Sequence, residues 1–98
     1  MQQEDSGQEV YYHITAVARL LNLSTKTILK YERLGLIRCE SVVVEGQVQH
    51  RCYTLDTLDR LRRIKWLTTD LGVNLAGVEV ILQLLDRLEE TEGIEYNG

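Results

Sequence analysis

Three long cationic side chains recur along a short stretch of this 98-residue chain, at Lys26, Lys30 and Arg33. Steps of four and three residues place side chains on one face of an α-helix. Cations on such a face can neutralise the phosphates that dominate the affinity of proteins for nucleic acid. Ser24 and Thr27 lie beside them and are small, so the backbone can come close to a ligand. We therefore predict nucleic-acid contact here, with an ordinary solvated helix face as the alternative.

A second group of basic residues follows at Arg38, His50 and Arg51. They flank a valine-rich stretch that predicts a β-hairpin. A hairpin beside a helix that contacts DNA is called a wing, and the predicted wing covers residues 38–53. Its basic residues would lie where a wing crosses phosphates. The valines at positions 42, 43, 44 and 48 leave another role open, because they also suit a partner surface or packing against a later helix.

The two cysteines of the sequence lie on the two predicted strands of the hairpin. We predict strands over residues 39–44 and 47–53 with Glu45-Gly46 as the turn, which places Cys39 opposite Cys52. Thiols at opposed positions are within range of a disulfide, which would make the wing sensitive to redox state. The alternative is that a reducing cytosol keeps both thiols free. We expect free thiols, and two cysteines are too few for a zinc site or a disulfide framework.

Other chemistry lacks the residues that it needs. His13 and His50 have no cysteine or carboxylate at ligand spacing, so we expect no metal site. The sequence shows no paired carboxylates, no nucleophile elbow and no phosphate-cradling glycine loop. We expect neither an enzyme nor a cofactor.

Two short helices joined by a tight turn position the cations. Thr15 is the predicted cap of the first helix, and Ser24 ends the turn and caps the second. Gly35 supplies the left-handed residue that ends the second helix. This is the sequence form of a helix-turn-helix, whose second helix, here residues 24–34, is shaped to enter a major groove. The predicted core positions of the two helices are Val17, Leu20, Leu21, Ile28, Tyr31 and Leu34.

Two further helices are predicted after the hairpin. Thr54 caps a third helix over residues 55–71, and Asn74 caps a fourth over about residues 75–90. Gly72 ends the third helix and Gly77 marks a close-packing site, while Trp66 is assigned to core or interface. The inward residues of the third helix are Leu58, Leu61, Ile64 and Leu67.

The fourth helix has a wider apolar stripe than one small core needs. We assign it both to core packing and to an interface, with a second copy of the chain or with another protein. Acidic residues at positions 86, 89, 90 and 92 rim the stripe and suit a basic partner. The interface residues are Val78, Ile81, Leu82, Leu85 and Leu88, with Leu75, Val80 and Leu84 alongside.

Charge is divided unevenly along the chain. Residues 19–65 carry a net charge of +5 and the remainder −9, which together give −4. A basic centre between acidic ends suits a domain with one face for phosphate and another for a different partner. We divide the chain into a flexible arm (1–9), one domain (10–90) and a polar tail (91–98). The sequence has no apolar run that could span a bilayer and no leader of the secretory type, which predicts a cytoplasmic protein.

Residues 14–37, the triplet Arg51-Cys52-Tyr53 and residues 55–64 together resemble the DNA-binding domain of MerR-type transcription regulators. Residues 71–78 (LGVNLAGV) are similar to two compact branches of that superfamily. One is the heat-shock repressors, which repress chaperone operons. The other is the CbpM-like chaperone modulators, which bind a DnaJ-class co-chaperone. The resemblance implies a mainly α fold: a winged helix-turn-helix with a small antiparallel wing and a C-terminal amphipathic helix.

The resemblance also implies which residues lie near duplex DNA. Three positions depart from the family pattern: Leu29 replaces the usual arginine, Lys30 an aromatic residue and Arg38 a proline. The sequence ends soon after the fourth helix, so we do not expect the effector sensing of long regulators. We expect a DNA-binding transcription regulator that acts as a homodimer, with a chaperone modulator that binds through the fourth helix as the alternative. The matching positions are Ser24, Lys26, Thr27, Tyr31, Arg33, Arg51 and Tyr53.

Overall fold

A computed structural model describes residues 10–94, with side chains described as far as residue 91. The arm predicted over residues 1–9 lies outside the described residues, as do residues 95–98 of the predicted tail. The chain divides into two compact units, the first ending at Arg62 and the second beginning at Arg63. The predicted mainly α architecture with a small antiparallel sheet is confirmed. Its elements in order are β1 (Tyr12–His13), α1 (Ile14–Leu21), α2 (Thr25–Arg33), β2 (Ser41–Glu45), β3 (Val48–Tyr53), α3 (Leu55–Lys65), a π-helical turn (Trp66–Asp70) and α4 (Leu75–Ile94).

Helix α1 begins earlier than its sequence predicts. His13, not Thr15, is the N-cap, and its imidazole Nδ1 accepts a hydrogen bond from the Thr15 backbone N–H at 3.2 Å. The prediction was wrong because it considered only the residue types that commonly cap helices, and histidine is not among them. After α1, Asn22 takes a left-handed conformation with φ +54° and turns the chain toward α2.

Helix α2 begins and ends as predicted. The Ser24 hydroxyl accepts a hydrogen bond from the Thr27 backbone N–H at 3.0 Å, and Gly35 beyond the last turn has φ +79°. Ile28 and Tyr31 are buried on the inner face. The predicted core position Leu34 is exposed because it lies at the C-cap, where helical spacing no longer applies.

Helix α1 buries a narrower stripe than predicted. Ile14, Val17 and Leu21 form it, whereas the predicted core residue Leu20 is 59% exposed. Leu20 lies beside this stripe rather than on it, because helical steps of three and four residues join the other three.

The hairpin has a different register from the predicted one. Glu45 pairs with Val48 and Ser41 with Cys52, so the turn is Gly46-Gln47 and every pairing moves by two residues. Gly46 has φ +63°, and glycine at the first turn position is typical of a type II′ turn. Cys39 therefore lies outside β2 rather than opposite Cys52, and both thiols are free.

A third strand, which the sequence analysis missed, completes the sheet in the order β1-β3-β2. Tyr12 pairs with Tyr53 and His13 with Cys52, both antiparallel. A two-residue strand is too short for alternation to reveal it. It anchors the start of α1 to the wing.

In the second unit, α3 passes into the π-helical turn before Gly72 ends the run with φ +68°. Leu67 in that turn is buried as predicted, but Trp66 is half exposed and is not a core residue. The backbone N–H of Val73 donates to the Leu67 carbonyl at 2.9 Å and closes the turn.

Helix α4 begins at the predicted cap and runs to Ile94, past the expected end near Glu90. The Asn74 side-chain oxygen accepts from the Gly77 backbone N–H at 2.9 Å. A Cβ atom at Gly77 would lie 2.8 Å from Val73 Cγ1, which confirms a close-packing site. The described residues include no helix long and apolar enough to cross a membrane.

Candidate nucleic-acid interface

The outer face of α2 carries the predicted cations. Lys26, Lys30 and Arg33 are all exposed, on the side away from the buried Ile28 and Tyr31. Lysine and arginine at positions 30 and 33 also lie in the last turn, where positive charge complements the helix dipole. The structure thus brings these three predicted residues together on one surface.

The start of α2 adds small polar groups to this surface. The Ser24 hydroxyl donates to Thr27 Oγ1 at 2.9 Å while it accepts from the Thr27 amide, so the two side chains are held by the helix itself. Ser24 is exposed and Thr27 partly exposed. Neither side chain is bulky enough to keep a phosphate backbone away from the first turn.

The two predicted tyrosines have a different position. Tyr31 is 8% exposed and Tyr53 is fully buried, so little of their side-chain surface is open to a ligand. The Tyr53 hydroxyl donates to Glu32 Oε1 at 3.0 Å. The structure therefore gives these two residues packing and supporting roles, away from the exposed cations of α2.

Glu32 joins α2 to the wing. Its carboxylate forms an ion pair with the Arg51 guanidinium, in which Arg51 Nε lies 3.3 Å from Glu32 Oε1 and a second bond runs from Nη2 to Oε2. The side chains of Arg51 and Glu32 are 28% and 19% exposed. Arg51 is thus a partly covered residue of the wing, and its contact with Glu32 fixes its direction relative to α2.

Contacts within this cluster raise the pKa values of Arg51 and Tyr53. The hydrogen bond to Glu32 raises the pKa of the Arg51 guanidinium, which stays charged. Burial raises the pKa of the Tyr53 phenol, and the hydrogen bond to Glu32 raises it further, so this hydroxyl remains a donor.

Sequence reasoning missed Glu32. Nineteen residues separate it from Arg51 and 21 from Tyr53, so no local spacing indicates the contact. A carboxylate between two cations of a helix face looks like ordinary charge balance in a sequence. Only the position of β3 beside α2 shows its second role.

The remaining wing residues differ in exposure. Arg38 is exposed in the segment that leads to β2. His50 is partly exposed, its ring contacts that of His13, and its Nε2 lies 3.0 Å from Glu45 Oε1. Neither contact was predicted from the sequence. The wing valines at 42, 43, 44 and 48 are all exposed. Within the described residues, no group of three or more metal-binding side chains is present.

The predicted partner residues of α4 divide into two sets. Val78 and Leu82 are buried within the chain and have no surface to offer a partner. Ile81 and Leu85 are partly exposed, and Leu88 is 57% exposed. Val80 and Leu84 are exposed as well, and steps of four residues align them with Leu88 in one stripe.

Comparison with known proteins agrees with this architecture. Residues 12–85 match the family described as MerR HTH family regulatory protein. The chain belongs to the MerR family. A relative from Streptomyces coelicolor, a heat shock protein named HspR, is 32% identical over 81 residues, which are 83% of this chain. The chain spans about half of that relative, 51% of its length.

A solved structure shares the MerR fold. The crystal structure of HiNmlR, described as a MerR family regulator lacking the sensor domain and bound to promoter DNA, matches with a TM-score of 0.64. The match covers 84% of this chain and 59% of that one, at 20% sequence identity. The winged helix-turn-helix expected from the sequence is confirmed.

Proposed function

We propose that this MerR-family chain is a small transcription regulator of the heat-shock-repressor type, which reads duplex DNA with α2 and the wing. The observation that carries the proposal is the exposed row of Lys26, Lys30 and Arg33 on a helix whose opposite face is buried. Long cations on one helix face supply the phosphate contacts that set the protein in a groove. The HspR relative supports the heat-shock assignment.

The wing adds a second set of contacts in this proposal. Arg51 is directed by Glu32, which lies on the same helix as the three cations, so helix and wing would approach the duplex in a fixed relation. A guanidinium already held by one carboxylate can still donate from its remaining N–H groups. Arg38 would meet phosphate from the exposed segment before β2.

The test is fluorescence anisotropy with a random-sequence duplex at increasing salt. Lys26→Ala with Lys30→Ala removes two cations, so the slope of log affinity against log salt should fall by about two for each bound protomer. The matched control, Arg63→Ala with Arg87→Ala, removes the same charge at two exposed sites outside α2 and the wing. An unchanged slope in the first variant, or an equal fall in the control, would contradict the mechanism.

We propose further that the regulator is a homodimer formed through the exposed stripe of α4. Val80, Leu84 and Leu88 present apolar side chains at steps of four residues, a surface that a soluble monomer rarely leaves in water. A twofold dimer would suit a twofold operator. Leu84→Asp should give a folded monomer in sedimentation equilibrium, whereas the neighbouring exposed Gln83→Asp should remain dimeric.

The same stripe also suits a different protein, such as a DnaJ-class co-chaperone. The experiments above distinguish a DNA-binding regulator from a chaperone modulator. A chain that is monomeric and binds no duplex at low salt would favour the chaperone-modulator function, and Leu84→Asp would then abolish co-chaperone binding. A chain that binds duplex with a steep salt dependence favours the regulator.

A further inference from the structure

Four polar side chains form an unbroken line from the start of α1 to the tip of the wing. His13 Nδ1 lies 2.9 Å from Thr15 Oγ1, and His13 Nε2 lies 3.0 Å from His50 Nδ1. His50 Nε2 lies in turn 3.0 Å from Glu45 Oε1. The line joins the N-cap of α1 to both strands of the hairpin, and the DNA contacts proposed for α2 do not use it.

The line has one direction of hydrogen bonding. The backbone N–H of Thr15 can only donate, so His13 Nδ1 is the acceptor and its ring proton is on Nε2. That proton is donated to His50 Nδ1, which places the proton of His50 on Nε2, where it is donated to the Glu45 carboxylate. With one proton on each ring, every contact has a donor and an acceptor.

An additional proton has no place in this arrangement. On His13 Nδ1 it would oppose the Thr15 N–H and put positive charge at the N-terminus of α1, where the helix dipole disfavours it. On His50 Nδ1 it would occupy the atom that accepts the bond from His13, while His50 Nε2 remains bonded to the Glu45 carboxylate. Two N–H groups would then face each other across the 3.0 Å gap, and the bond between the rings would be lost.

Other ionisable groups near the two rings make different contacts. Cys52 is the strand partner of His13, and its thiol points to the His50 carbonyl oxygen. The Cys39 thiol donates to the carbonyl of Ser41. Arg19 lies one turn beyond Thr15 on α1, and Arg51 points to the opposite face of β3 from its neighbour His50. Among the described residues, Glu45 is therefore the charged side chain that contacts the pair directly.

We propose that His13 and His50 form a proton-sensitive link, which holds the outer part of the wing, residues 42–49, to the start of α1 when both rings are neutral and loosens it when the pair takes up a proton. The backbone pairing of β1 with β3 keeps Cys52 and Tyr53 in place in both states. Imidazoles change charge between about pH 5 and pH 8, so the link responds in the range in which cells and their compartments vary. The wing would be ordered at the upper end of that range and more mobile at the lower end.

NMR of the intact chain tests both parts of the proposal. Long-range proton–nitrogen correlation at about pH 8 should show the Nε2–H tautomer for both rings. On lowering the pH to about 5, backbone order parameters of residues 42–49 should fall from about 0.85 to below about 0.6, with α2 and α3 unchanged. An Nδ1–H tautomer in either ring, a constant order parameter in the wing, or an equal loss in α2 and α3 would overturn it.

Two variants isolate the bond between the rings. His13→Ser keeps a hydroxyl that can cap α1 but cannot reach His50, so the wing should be mobile at both pH values. His50→Gln keeps an amide oxygen that can accept from His13 and does not titrate, so the wing should stay ordered at both. A His13→Ser wing that still depends on pH, or a His50→Gln wing released by acid, would show that other groups control it.

Discussion

Each of the two units of the chain is stabilised internally by a different kind of contact. In the first unit, carboxylates join segments that are far apart in sequence: Glu32 binds Arg51, and Glu40 accepts from the Thr54 amide at 3.1 Å and the Thr57 hydroxyl at 2.7 Å. Each of these carboxylates ties a helix or its cap to the sheet region. The first unit therefore combines an apolar core with specific, directional bonds.

The second unit depends mainly on apolar burial. Leu67, Val78 and Leu82 have almost no exposed surface, and the packing of Gly77 against Val73 brings α4 close to the preceding segment. Apolar contact has little directional preference. The helix with the exposed cations of the first unit is thus positioned by polar contacts between elements, whereas the second unit relies mainly on apolar burial.

The largest expected effect is in the second unit. Leu82→Ala should lower the free energy of unfolding by about 2–5 kcal/mol, because it leaves a cavity at a buried site that its surroundings only partly fill. Leu71→Ala in the same unit is the control, since that side chain is exposed and its loss should change stability by less than about 0.5 kcal/mol. Urea denaturation measures both. Equal losses of stability in the two variants would show that the second unit does not depend on burial of Leu82.

A smaller loss is expected in the first unit from Arg51→Met. This change leaves the mostly buried Glu32 carboxylate without its cation and should cost about 1–3 kcal/mol in the same urea experiment. Arg38→Met removes an equal charge from an exposed position and should be neutral within about 0.5 kcal/mol. If Arg51→Met were as neutral as its control, the first unit would not depend on its polar contacts.

The smallest loss of stability is expected at Ser24, whose hydrogen bond to the Thr27 amide lies at the start of α2 and joins no other element. Ser24→Ala removes the cap of α2 and should cost about 1 kcal/mol, while Ser24→Asp keeps an acceptor for the Thr27 amide and should retain stability. Duplex affinity should fall in Ser24→Asp even so, because a carboxylate at this surface repels phosphate. A Ser24→Asp variant with full affinity would place the duplex elsewhere.

The sequence predicted best those features that depend on neighbouring residues. Helical spacing identified Ile28, Leu58, Leu61, Ile64 and Val78 as buried, and local capping chemistry identified Ser24 and Asn74. The exposed row of cations on α2 also follows from spacing alone. In each case the sequence pattern that carries the prediction extends over only a few neighbouring residues.

Features that depend on distant residues were missed. The hairpin register moved by two residues because both registers keep the same side chains on the same face, so alternation cannot separate them. Strand β1, the Glu32 contacts and the bond between His13 and His50 all join segments far apart in the sequence. Their existence depends on where the chain returns, which periodicity does not determine.

Trp66 has a practical consequence for spectroscopy. It is the single tryptophan of the sequence and lies half exposed in the π-helical turn of the second unit, whereas both cysteines belong to the first. Indole emission therefore monitors residues 63–94, and the rate of thiol labelling monitors residues 10–62. Measuring both signals across a series of denaturant concentrations would show whether the two units unfold together or one after the other.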